Sequence, residues 1–320
     1  MMLIDALQYI RPSRAVFQQM RKGNLSAVHI TVGYHEDFCG VVNNLKIWNN
    51  WIASCEDLIA RATTWNEVLA ANKANKTAIL FGLQNPLPIG ADIRQVENLV
   101  QLGIRFCQIT YNQQSLLGAG CFEPFDSGLT AFGREVVDEM NRVGMVIDLS
   151  HAGHKTAMDV INYSKRPIAV THANPYDWNA VPRNLKQELI QAISETGGML
   201  GFSLYPHHLR SGSNCTLQEF SEMVSSMVKI YGSKIFGIGS DLCQDQPDSV
   251  VNWMRNGHWR KVPCAPAEFP KPTKWFQSNE DFPGLTDGLR SARMNDEEIA
   301  RVLGKNWMKF WEKAFLPHEG

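Results

Sequence analysis

Eight short runs of continuous, largely β-branched apolar residues recur along the chain, at 3–7, 27–32, 77–83, 104–110, 145–149, 168–171, 199–203 and 235–239. Their unbroken apolarity fits strands covered on both faces, as in a parallel sheet. Helical segments separate them. "ADIRQVENLVQLG" repeats Ile93, Val96, Leu99 and Val100 at helical spacing and stops at Gly103. "TAFGREVVDEMNRVG" opens on a threonine and ends at Gly144, and "NLKQELIQAISETGG" ends in the same way. Eight such alternations predict a (β/α)8 TIM barrel as one domain over 1–320. A doubly wound sheet is the runner-up, but no G-x-G-x-x-G follows the first run.

Composition narrows the function classes. A formal net charge of −1 with no basic stripe gives no electrostatic case for nucleic acid or an anionic membrane. The seven cysteines are scattered without a C-x-x-C pair, which argues against a disulfide framework or a cysteine zinc knuckle. No apolar run approaches the ~18 residues of a membrane span, and no basic region precedes an apolar one at the start. The expectation is a soluble, cytoplasmic protein.

Two regions exceed what simple connections need. Residues 33–76 place Trp48, Trp51 and Trp65 on helical ground. Residues 242–285, rich in Pro, Trp and Asn, read as a long loop that would lie over the catalytic face as a lid; a solvent-facing excursion or a subunit contact is the plainer alternative.

Chemistry on such a barrel sits at the C-terminal ends of the strands. The polar residues there are Gln8 and Tyr9, His29 with His35 and Glu36, Gln84 and Asn85, Tyr111 and Asn112, His151, His172, Tyr205 with His207 and His208, and Asp241. Neighbouring strands lie ~4.8 Å apart, so His151 and His172 are placed to share one ion at ~2.1 Å from each nitrogen. A histidine ending one strand is more often structural. Two on adjacent strands, with an aspartate two strands on, bring the metal reading level with the structural one. Asp148 and Asp5, inside apolar strands, read as structural anchors, and His154 as a surface residue. His258 becomes a candidate only if the lid closes.

The run from about 91 to 184 resembles the membrane dipeptidase family, the M19 metallopeptidases. The likeness is carried by "LVQLGIRFCQITYN", "GLTAFGREVVDEMNRVGMVIDLSH", "RPIAVTHANPY" and "VPRNL", and more weakly by "GFSLYP", "FGIGSDL" and "LGKNWMKFWE". It implies a metal-dependent, amidohydrolase-like barrel that binds two zinc ions and cleaves dipeptides. By the same resemblance His151 and His172 hold the second zinc, Arg183 grips a substrate carboxylate, Tyr205 contacts substrate, and Asp241 acts at the first metal. Family members commonly form homodimers, which leaves that assembly open here.

The departures are as informative as the matches. The family's opening D-G-H-N-D is here Asp5-Ala-Leu-Gln-Tyr9, so Leu7 and Tyr9 stand where two first-metal ligands belong. Gln84 replaces the bridging carboxylate, Tyr111 the oxyanion-stabilising histidine, and Cys243 the second acid after Asp241. Of the family's carboxylates only Asp241 remains, which with one hydroxide balances a single Zn²⁺ rather than two. At most one tightly bound zinc is expected, at His151 and His172, with His29, His35 or Glu36 as replacement ligands. The expected function is hydrolysis of a dipeptide or small N-acyl amino acid. Asp241 takes the proton, Tyr111 donates to the oxyanion, and Arg183, Tyr205, Gln84, Asn112 and Tyr9 contact the substrate. The alternatives are lyase or isomerase chemistry on another small amide or amine metabolite, and a catalytically silent small-molecule-binding barrel.

Overall fold

The computed structural model describes residues 2–257 and 268–317. His258 and Cys264 therefore lie outside the described residues, as does the middle of the expected lid. Nine strands form one sheet: β1 (Ile4–Gln8), β2 (Ala27–Gly33), β3 (Ile59–Arg61), β4 (Thr77–Leu83), β5 (Ile104–Gln108), β6 (Val146–Asp148), β7 (Ala169–Ala173), β8 (Met199–Phe202) and β9 (Phe236–Ile238). All pairings between them are parallel. β1 pairs with both β2 and β9, and β2 pairs onward with β4, so eight strands close into a barrel. All eight expected runs are strands of that barrel. The fold is a (β/α)8 TIM barrel.

β3 is the element that the apolar pattern does not announce. Its three residues pair with Thr77–Ile79, below the point where β5 joins β4 at Phe81. It belongs to the long 33–76 connection, whose other elements are helices α1 and α2 in the numbering used here: α1 (Phe38–Ser54) carries Trp48 and Trp51, and α2 (Trp65–Lys73) begins at Trp65. One of the sequence-read helices forms where its caps place it. Thr130 accepts from the Gly133 N–H to open the helix Ala131–Val143, and Gly144, at φ 75°, closes it. Among the described residues no helix is long and apolar enough to cross a membrane.

The two-residue period of a strand orders the barrel interior into layers. Ala27, Leu80, Phe106, Val146, Ala169 and Met199 form an apolar floor sealed from below by Trp307 and Trp311. Two residues further along the same strands the side chains turn polar. His29 stacks on Phe106 at 4.1 Å, Gln108 donates to Asp148, and Asp148 accepts from Thr171. This polar layer supports the residues at the strand ends. It forms only because Gly82 leaves room for the His29 ring: a Cβ at Gly82 would overlap His29 and press on Phe106 Cβ at 2.8 Å.

Gly82→Ala is therefore expected to destabilise the barrel by about 1–3 kcal/mol through overpacking. Denaturant unfolding of Gly82→Ala with and without His29→Ala checks this. The glycine substitution must cost less once the imidazole is gone, and an equal cost in both backgrounds would contradict the packing account.

Candidate active site

Asp148 is the anchor from which the site is built. Its buried carboxylate accepts the backbone N–H and hydroxyl of Ser150, the backbone N–H and hydroxyl of Thr171, and the Gln108 amide. This is the structural role expected of it. The 2.6 Å bond from Thr171 uses that residue's single hydroxyl hydrogen. Thr171 Oγ1 therefore presents only lone pairs to His172 Nδ1, 2.8 Å away, and the proton of His172 must sit on Nδ1.

His151 is oriented in the same sense from the other side. Its Nδ1 lies 2.7 Å from Asn112 Oδ1, an acceptor, so it too carries its proton on Nδ1. The two Nε2 atoms then face each other at 3.0 Å with both lone pairs inward. Burial and the nearby Arg183 guanidinium hold both imidazoles well below the usual histidine range, so neither is protonated to relieve the repulsion. A cation relieves it. Two nitrogens 3.0 Å apart subtend an angle of about 90° at an ion bound at ~2.1 Å.

Among the described residues no group of three or more His, Cys, Asp and Glu could hold a metal. The expected replacement ligands do not join the pair among the described residues. His29 Nδ1 bonds the Ala6 carbonyl while its Nε2, buried without a partner among the described residues, lies against Gly82; His35 Nε2 bonds Met254 O, and Glu36 accepts from Tyr34 N–H and Asn44. His208 Nδ1 bonds Ser203 Oγ. The chain supplies two neutral nitrogen donors, with a cation, Arg183, beside them.

A cavity of about 330 Å³ opens over this pair. Gln84, Tyr111, Asn112, His151, Arg183, Tyr205 and Asp241, all singled out from the sequence, line it together. His172 reaches it through His151. Tyr9 does not line it: its ring packs edge-on against Tyr34 at 4.8 Å. Cys243, Met254 and Arg255, from the segment expected to form a lid, contribute to the wall. Asn112, His151 and Asp241 hold φ between 58° and 66°, a costly region for non-glycine residues that functional sites recurrently use.

Tyr34 is the residue that the sequence reading missed. It follows Gly33 directly, so a listing of every position after the second strand, rather than only ligand-type residues, would have found it. Its hydroxyl accepts from Gln84 Nε2 at 2.8 Å, and its ring meets Tyr9 at 4.8 Å and Tyr111 at 5.0 Å. Gln84, Tyr9 and Tyr111 are three of the positions where the resemblance places ligands or catalytic groups around a first metal. One aromatic ring joins them.

The family model for membrane dipeptidase, peptidase family M19, matches residues 12–254. The chain belongs to this family. Among curated relatives, an uncharacterized dipeptidase of Schizosaccharomyces pombe is 24% identical over 78% of this chain and 56% of its own length. Dipeptidase verJ of Clonostachys rogersoniana is 28% identical over 65% of this chain and 54% of its own. The chain thus spans about half the length of the curated relatives it matches. Among solved structures, an amidohydrolase from Pseudomonas aeruginosa is 32% identical, with a TM-score of 0.92 over 98% of this chain and 96% of that one. A metallopeptidase from Rhodobacter sphaeroides, liganded with a phosphinate mimic of L-Ala-D-Ala, shares the fold at 16% identity and a TM-score of 0.81, covering 98% of this M19 chain and 99% of that one.

Two carboxyls of this M19 chain resist ionisation. Burial lifts Asp241 to about 7, a rise reinforced by Asp5 and opposed by Arg183, and burial lifts Asp5 to about 6 despite the bonds from Ser240, Gln8 and Leu7. Both values lie above the ordinary 3.8, so the folded state binds these protons more tightly than the unfolded chain. Stability then falls as pH rises from about 4 to 7. Asp241→Asn removes one contribution. The variant is expected to be more stable than the parent at pH 8 by on the order of 1 kcal/mol, discounted because the carboxylate borders a cavity, and to converge with it near pH 4. Unfolding curves at the two pH values check this, and a variant less stable at both would contradict it.

Proposed function

We propose that the chain is a hydrolase of the dipeptidase type that works with one metal ion, zinc, held by His151 and His172. The observation that carries this reading is the pair of inward-facing Nε2 lone pairs at 3.0 Å. When bound, the ion supplies a Lewis acid and an activated water. The family's first metal does not fit the residues present. Leu7 offers no ligand atom, Gln84 directs its amide donors at Thr31 and Tyr34, and the Tyr34 ring lies among the remaining positions.

The remaining roles follow from the chain's own groups. Arg183 Nε is buried with no partner among the described residues, and its Nη2 bonds the His172 carbonyl, so the guanidinium is fixed with donors left over for a substrate carboxylate. Asp241, lifted to about 7, takes a proton near neutral pH. Tyr111 lies 4.3 Å from His151, centroid to centroid. Burial and the Asp241 charge push its phenol well above 10, so it keeps its proton and donates to the developing oxyanion. A dipeptide or small N-acyl amino acid with a free carboxylate is the substrate class these groups serve. The scattered cysteines, free among the described residues, suit a reducing compartment, and we place the protein in the cytoplasm.

Metal analysis of zinc-loaded protein, with a panel of dipeptides and N-acyl amino acids, tests the reading. About one zinc per chain is expected, lost in His151→Ala and His172→Ala together with hydrolysis. Thr171→Val, which frees the His172 tautomer, should weaken zinc ~10–100-fold. In the parent, kcat/KM should rise with pH and level off above about 7 as Asp241 ionises. Two zincs per chain would contradict the one-ion site. Absence of both zinc and hydrolysis would reject the hydrolase and favour a binding barrel.

A further inference from the structure

Asp241 is the single acidic side chain among the described residues that line the cavity. Its carboxylate accepts no hydrogen bond from any described residue, and the side chains of Tyr34, Tyr111 and Tyr205 line the same cavity. A half-buried carboxylate without donors is poorly served, and a cation beside it offsets that. A further metal ion is a poor candidate, because no three ligating groups converge among the described residues. A primary ammonium, with three donors to satisfy, is poorly served as well. The Tyr34 hydroxyl already accepts from Gln84 and that of Tyr205 faces Arg255. Aromatic rings around one carboxylate instead complement an ammonium clothed in methyl groups, which needs charge and contact but few acceptors.

We propose that Asp241, Tyr34, Tyr111 and Tyr205 form a receptor for the N-alkylated ammonium end of a small zwitterionic substrate, whose carboxylate Arg183 takes. The cationic nitrogen of the substrate then occupies ground that the family's first metal would need. As an enzyme substrate this class rests on the hydrolase reading: it would be a dipeptide or amide whose amino nitrogen carries alkyl groups. As a binding preference it stands without it.

The test compares glycine betaine with 3,3-dimethylbutanoate, its carbon isostere without the positive charge, and with glycine, by calorimetry on the full-length protein. Betaine is expected to bind ~10-fold or more tightly than the isostere, and more tightly than glycine. Asp241→Asn and Tyr34→Leu should each abolish that preference. Tyr34→Phe, which keeps the ring, should retain it, and far-UV circular dichroism confirms that each variant is folded. An isostere that binds as tightly as betaine, or a preference that survives in Asp241→Asn, overturns the proposal. Hydrolysis of dipeptides with free and N-methylated amino ends, measured alongside, separates the two readings. Cleavage without a betaine preference overturns the receptor and leaves the hydrolase. A betaine preference without cleavage supports the receptor and overturns the hydrolase.

Discussion

Two lone pairs pointed at each other across 3.0 Å set the terms for this molecule. Left alone, His151 Nε2 and His172 Nε2 repel, and the protein spends much of its polar interior holding them there. The Asp148 carboxylate fixes the Thr171 hydroxyl, which fixes the His172 tautomer, while Asn112 does the same for His151. The arrangement needs neighbouring parallel strands to set the spacing, a polar layer beneath to set the tautomers, and a left-handed turn at His151 to aim the ring. On the proposed reading, a cation between the two nitrogens removes that repulsion.

What surrounds that pair departs from the residue set that the family resemblance implies for a first metal. The rings of Tyr9, Tyr34 and Tyr111 form a contiguous wall, tied to Gln84 through the Tyr34 hydroxyl. Aromatic packing of this kind stabilises the barrel mouth, whereas carboxylate ligands in the same places would repel one another until ions arrived. Asp241 is the remaining cost, a carboxyl whose ionisation is pushed up to about 7 by burial. On the proposed reading, stability and function pull against each other at that one side chain.

The eight barrel strands were legible because a strand covered on both faces must be apolar throughout, and each run showed it. β3 was not, since Ile59–Arg61 is too short to carry a pattern and pairs with only part of β4. His151 and His172 were legible as a pair because adjacent strand ends fix their separation. Tyr9 shows the limit of that argument. Its position after the first strand gives its height in the barrel but not its direction, and the ring turned to pack on Tyr34 rather than to line the cavity. Tyr34 went unread because attention fell on residues that ligate metals, while its role is to fill the space where such residues would converge. The hydrogen-bond chain from Asp148 to His172 was beyond the sequence, since a tautomer depends on which hydroxyl hydrogen is already committed.

The tautomers of the two histidines test the account most directly. Long-range ¹H–¹⁵N correlation spectra of imidazole-labelled protein, with His151→Ala and His172→Ala for assignment, report the protonation of each ring nitrogen. Both Nε2 atoms should be unprotonated in the metal-free protein at neutral pH, and both should shift when zinc is added. One ring protonated at Nε2 and bonded to the other, with neither signal moved by zinc, would contradict the account.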